Sequence, residues 1–107
     1  MATFNFPSAV LGDTYEGQQF QMSRNGSPLN LTGGSVVMTM MDGNNAITYS
    51  TQNGGLAIIS GSSGVFEFSK QQIVANRYGE LPYEITFFLS NGDIKTYLSG
   101  IFTIERA

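Results

Sequence analysis

Apolar and polar residues alternate along most of this chain, most regularly between Leu81 and Ile104. Leu81, Tyr83, Ile85, Phe87 and Leu89 share one face of a first run. Ile94, Thr96, Leu98, Gly100 and Phe102 share one face of a second. A period of two is that of a strand with one buried side. Asn91-Gly92 lies between the runs, and an Asn-Gly pair in that setting marks a two-residue hairpin loop. With those two residues as the loop, Ser90 faces Asp93. The apolar face then pairs Leu89 with Ile94, Phe87 with Thr96, Ile85 with Leu98, Tyr83 with Gly100 and Leu81 with Phe102. The opposite face pairs Phe88 with Lys95, Thr86 with Tyr97, Glu84 with Ser99 and Pro82 with Ile101, a mixture that suits contact with water. A slip by one residue would undo that sorting.

Earlier segments repeat the signal in shorter pieces. Residues 1–7 form an edge strand or an arm, with Phe4 and Phe6 on one side and Pro7 either ending the run or restricting it to an edge. Tyr15 to Ser23 predicts a second strand, polar enough to lie near an edge. Beyond the Asn25-Gly26-Ser27-Pro28 loop, Ser35–Met41 is apolar on both faces, as a central strand is. Met38, Met40 and Met41 serve there either as core filling or as an adaptable contact surface. Ala46–Thr51, Leu56–Ser60 and Val65–Phe68 predict three further strands, the last with Phe66 and Phe68 inward. Ser69-Lys70-Gln71-Gln72 has the form of a capping box and predicts one or two helical turns over Lys70–Asn76, closed by Asn76 or Gly79. Seven or eight short antiparallel strands with one short helical crossover describe an all-β, immunoglobulin-like β-sandwich. The cysteine–tryptophan–cysteine core of antibody domains is missing, and a small closed barrel shares the same strand pattern.

Composition narrows the function classes. The 107 residues make a single domain, 1–107. Charged residues are 12%, about half the usual share. That suits a turn-rich β-domain with an uncharged polar surface, and equally a surface that meets another protein. Arg24, Lys70, Arg77, Lys95 and Arg106 are scattered through a chain of net charge −3, which gives no footprint for nucleic acid. No apolar run approaches the roughly 20 residues of a membrane span. Residues 1–20 lack the charged and apolar regions of a signal peptide.

The chemistry-bearing residues are few. Without histidine or cysteine, Ser-His-Asp and Cys-His arrangements, disulfides and thiolate metal sites are impossible. The expectation is a protein that is not an enzyme, with no catalytic residue, cofactor or metal. Glu80 and Glu84 share a strand face but stand about 13 Å apart along it, beyond either glycosidase geometry. A solvated face beside Lys95 accounts for them. Asp42-Gly43-Asn44-Asn45 is a hairpin turn, since it lacks the glycine and closing glutamate of a calcium loop. Asn53-Gly54-Gly55 and Gly61-Ser62-Ser63-Gly64 do not open a helix after a strand, as a phosphate cradle would. Tyr83 acts either as a corner tyrosine or as a cover for Gly100 opposite. Exposed tyrosines could stack on sugar, which keeps a small carbohydrate- or ligand-binding module as the alternative.

The order of these motifs resembles immunoglobulin-like phage virion domains, such as the N-terminal domain of baseplate upper proteins. Leu29-Asn30-Leu31-Thr32-Gly33-Gly34-Ser35-Val36 is similar to their "L-D-L-T-G-A-T-V" opening. Asn53-Gly54-Gly55-Leu56-Ala57-Ile58 is similar to a "G-G-I-T-I" strand, and Gly64-Val65-Phe66-Glu67-Phe68 follows it. Leu81 to Ile104, with Asn91-Gly92-Asp93 at the turn, resembles the closing "G-x-Y-x-Y-x-I … D-G … L-x-G-x-F-x-I", with Leu81-Pro82 where that pattern has glycine before tyrosine. The resemblance covers roughly residues 15–105. It implies a non-enzymatic structural protein of a tailed phage: an adaptor, baseplate, tail or capsid-decoration subunit. Its localisation would be the virion, assembled in the host bacterial cytoplasm. Its partners would be other virion proteins and further copies of itself, with no nucleic acid and no membrane. The chain ends directly after the last strand, as a stand-alone accessory or connector subunit would. The uncharged N-terminal run makes Phe4 and Phe6 the candidate interface residues, unless they simply pack down as the first strand of the sandwich.

Overall fold

The alternating runs become neighbouring strands in the computed structural model, which describes residues 2–24, 26–75 and 78–106. In chain order the first strands are β1 (Ala2–Thr3), β2 (Phe6–Val10), β3 (Thr14–Tyr15), β4 (Gln18–Gln21), β5 (Ser23–Arg24) and β6 (Ser27–Pro28). The middle of the chain forms β7 (Ser35–Asp42), β8 (Asn45–Ser50), β9 (Leu56–Ser60) and β10 (Val65–Phe68). The rest is β11 (Gln71–Gln72), β12 (Gly79–Phe88) and β13 (Ile94–Glu105). The fold is all-β, with several antiparallel sheets. The largest sheet runs β1-β13-β12-β7-β8, and β2 also pairs with β13. A second sheet runs β4-β10-β9, and β11-β3 and β5-β6 make two short ribbons.

Alternation decides what each strand buries. Val36, Met38 and Met40 of β7 are wholly buried, as are Ile85 and Phe87 of β12, while Thr39 and Glu84 point the other way. β7 lies between β8 and β12, the central position its two apolar faces predict. Phe66 and Phe68 point inward from the second sheet. Phe66 packs edge-on to Phe87, ring centres 5.4 Å apart, and Phe68 packs on Phe102 at 5.7 Å. The inner faces of the two sheets therefore share one core, and Leu29, Leu31 and Ile73 close it from the connecting segments. Each buried side chain of this size contributes on the order of 1.5–3 kcal/mol relative to exposure.

The last hairpin differs from its expected register at the tip. Gly92 N–H donates to the Leu89 carbonyl at 3.0 Å, and Leu89 N–H donates to the Asp93 carbonyl at 2.8 Å. These are the bonds of a three-residue loop, Ser90-Asn91-Gly92, with Gly92 at φ +95°. Phe88 therefore faces Ile94, Phe87 faces Lys95 and Thr86 faces Thr96. A bulge at Tyr97 then restores the expected pairs from Ile85–Leu98 through Tyr83–Gly100 to Leu81–Phe102. Asn91 Oδ1 accepts from Asp93 N–H at 2.9 Å, a local bond that helps the longer loop compete with the two-residue one.

Two further expectations are corrected. Among the described residues there is no helix. Gln71 and Gln72 pair instead with Tyr15 and Thr14, and Ile73 is buried in the core. The Gln72 amide, expected to close a capping box, donates to the Gly12 carbonyl at 2.9 Å. One or two helical turns are marginal alone, and strand pairing plus the burial of Ile73 outweigh them. Asn76, the expected end of that helix, lies outside the described residues. The strands are not all antiparallel either: β1 and β2 run parallel to β13. Of the two readings of Pro7, the edge position holds: it lies within β2, on a sheet edge where its missing N–H costs little.

Candidate functional site

The outward face of the large sheet is organised in cross-strand rows. Thr3 pairs with Ser99, Ser99 with Glu84, Glu84 with Thr39, and Thr39 with Thr48. The result is a row of hydroxyls with one carboxylate at its centre. The neighbouring row is apolar: Ile101 faces Pro82 across β13 and β12, and Met41 faces Ala46 across β7 and β8. A groove of ≈ 510 Å³ lies over the two rows, lined by Thr3, Thr39, Met41, Pro82, Glu84 and Ile101 among others.

Pro82 explains why the groove is there. β12 stays paired with β13 as far as Gly79, but its pairing with β7 stops at Tyr83–Met40, one residue short of Pro82. Proline has no N–H to carry a ladder further. Beyond that point β7 and β12 part, and Met41, 43% exposed, lies in the opening. Of the three methionines, Met38 and Met40 thus fill the core and Met41 lines the surface. A proline inside a central strand was the signal for this groove in the sequence. Its other walls come from β1, β7 and β13, which are distant in the chain.

The N-terminal segment forms one end of the groove. Phe4 N–H donates to the Ser99 carbonyl at 2.9 Å, and Asn5 Oδ1 accepts from Ile101 N–H at 3.0 Å. The Tyr83 hydroxyl donates to the Phe4 carbonyl. Gly100 makes this crossing possible, because a Cβ there would collide with the Phe4 carbonyl oxygen. Tyr83 and Gly100 are opposite one another as expected, and both serve to seat the N-terminal strand. Burial pushes the Tyr83 phenol up to about 12.

Phe4 and Phe6, the candidate interface residues, lie against this chain's own core. Phe6 is 4% exposed, and its ring meets those of Phe4, Phe20, Phe68, Tyr83 and Phe102 at 4.9–5.5 Å. Phe4 is half-buried between Phe6 and Phe20. In the folded chain Phe6 is an internal residue rather than a surface anchor.

The other candidates separate. Glu80 and Glu84 share the outward face as expected, but the three-residue loop pairs Lys95 with inward-facing Phe87, so Lys95 is not beside them. Tyr49 and Tyr83 are buried and Tyr15 half-buried, whereas Tyr78 is 50% exposed with the Arg106 guanidinium over its ring. The tyrosines therefore do not gather into a stacking platform among the described residues. Asp42 to Asn45 is a tight turn joining β7 to β8. No group of three or more His, Cys, Asp or Glu that could hold a metal occurs among the described residues. No helix among them is long and apolar enough to cross a membrane. No protein-family model matches the chain, and no curated protein matches it.

Proposed function

We propose that this chain is an immunoglobulin-like sandwich that serves as a structural subunit of a tailed-phage virion, acting by contact with other virion proteins and with further copies of itself. The strand order supports the fold type. β4-β10-β9 corresponds to strands B, E and D of that fold, and β13-β12-β7-β8 corresponds to G, F, C and C′. The observation that carries the functional reading is the outward face of the large sheet. It spans β1, β13, β12, β7 and β8, is mostly uncharged, and holds an open groove with apolar side chains in its lining. Such a face is fitted for a protein partner. Mass spectrometry of purified particles from the source phage tests the assignment. The protein is expected in stoichiometric amount beside the head and tail proteins, and its absence from washed particles would refute a virion role.

A further inference from the structure

The groove at Pro82 combines three features that select its occupant. Its lining includes the apolar side chains of Met41, Pro82 and Ile101. Thr3, Thr39 and Ser99 add hydroxyls to the same lining. Among the described lining residues the one carboxylate is that of Glu84, which is exposed. Glu80 and Glu105 extend the acidic character of the same face, because alternation along β12 and β13 puts them on the outward side. No basic residue stands on the outward positions of β1, β7, β8, β12 or β13 among the described residues. The ion pair of Lys70 with Glu16, at 3.7 Å, involves none of these strands.

We infer that this groove takes the side chain of an arginine or lysine presented by a different protein. The aliphatic stem of such a residue covers apolar surface while its head stays polar. Here the stem lies along Met41, Pro82 and Ile101, and the cationic head reaches Glu84, with the hydroxyls of Thr39 and Ser99 as further acceptors. Arginine fits better than lysine, since its planar fork can bond a carboxylate twice. A second copy related by a two-fold axis does not fit. An isologous contact through this face would set the acidic faces, each with Glu80, Glu84 and Glu105, against each other. A two-fold contact through this face is thereby disfavoured.

This inference rests on the reading that the protein works by contact, but it can be tested without any particle. The probe is a capped Ala-Arg-Ala tripeptide, added to ¹⁵N-labelled protein and followed by NMR. Saturable shifts are expected at Thr39, Met41, Glu84, Ser99 and Ile101. The same peptide with citrulline, which keeps the shape and loses the charge, is expected to bind roughly tenfold more weakly, as is the arginine peptide to Glu84→Gln. Glu80→Gln, outside the groove, is expected to have a smaller effect. Shifts spread over the whole surface, equal binding of the citrulline peptide, or a Glu84→Gln variant that binds as well as the parent would each overturn the assignment. Failure here removes the groove's occupant and leaves the virion assignment standing. A protein missing from particles whose groove still takes the arginine peptide separates the two in the other direction.

Discussion

Gly100 matters for the space it leaves. Its backbone is not in the left-handed region, so alanine there would meet no conformational strain; what it would meet is the Phe4 carbonyl. Gly100→Ala is expected to lower stability by about 2 kcal/mol or more, an overpacking cost, because the obstacle is backbone that two further bonds hold in place. Urea denaturation measures it, and a parent-like midpoint would mean the N-terminal segment moves aside freely. Tyr83 adds a pH dependence. Its phenol stays protonated to about pH 12 in the folded chain, above its ordinary value of 10.0. Its contribution is thus fully present below pH 10, and is lost as the unfolded chain ionises first and the pH rises through 12. Burial raises Tyr15 and Tyr49 in the same direction. The melting temperature should fall through this window, and less steeply in Tyr83→Phe. An identical alkaline slope in that variant would remove Tyr83 from the account.

At the scale of elements, the last hairpin contains two one-residue shifts that cancel. The three-residue loop moves the tip pairs by one, and the bulge at Tyr97 moves the rest back. The buried face of β12 is the same with or without them, so the core tolerates the irregularity. Gly92, at φ +95° with open space around it, tests the loop without a packing effect. Gly92→Val is expected to cost about 1–2 kcal/mol, because a β-branched residue is strained in that region. Thermal unfolding at the parent temperature would contradict the loop geometry. A second element-level device lies at the edge strand β8. Asn53 Nδ2 donates to the Thr48 carbonyl at 2.9 Å, and its Oδ1 accepts from Ser50 N–H at 2.9 Å. A side-chain amide thereby occupies part of an edge that carries no charge or proline to discourage pairing.

For the whole molecule, Phe6 on β2 ties the start of the chain to its last strand, β13. Its ring sits where β2, β4, β10, β12 and β13 meet, and it makes five of the aromatic contacts in the core. Phe6→Ala is expected to cost about 3–5 kcal/mol, read by denaturant unfolding. Deleting residues 1–7 should cost at least as much, so it cannot serve as a clean test of assembly. Assembly is better examined on the full chain, by light scattering across concentration. Growth in mass with concentration is expected of a subunit that contacts its own copies, and a monomer throughout would count against that part of the proposed function.

The sequence alone determined the longer strands and which side of each faces inward, because a period of two is a local property and any packing must bury the same residues; Tyr15–Ser23, expected as one strand, is divided among β3, β4 and β5, which pair with β11, β10 and β6. Ser35–Met41, Leu56–Ser60, Val65–Phe68 and the inner pairs of the last hairpin were legible for that reason. The Lys70–Asn76 helix was misread because a local capping pattern carries little energy beside the pairing of Gln71 and Gln72 with a strand some 55 residues earlier. Tertiary structure alone decided that β1 and β2 run parallel to β13, that Phe6 is internal, and that Lys95 does not stand beside Glu84. It also made the groove, which needs the missing N–H of Pro82 to coincide with Met41 on β7 and Thr3 on β1. Those residues are brought together by cross-strand register, which is set by loop bonds and bulges as well as by the hydrophobic pattern that the sequence displays.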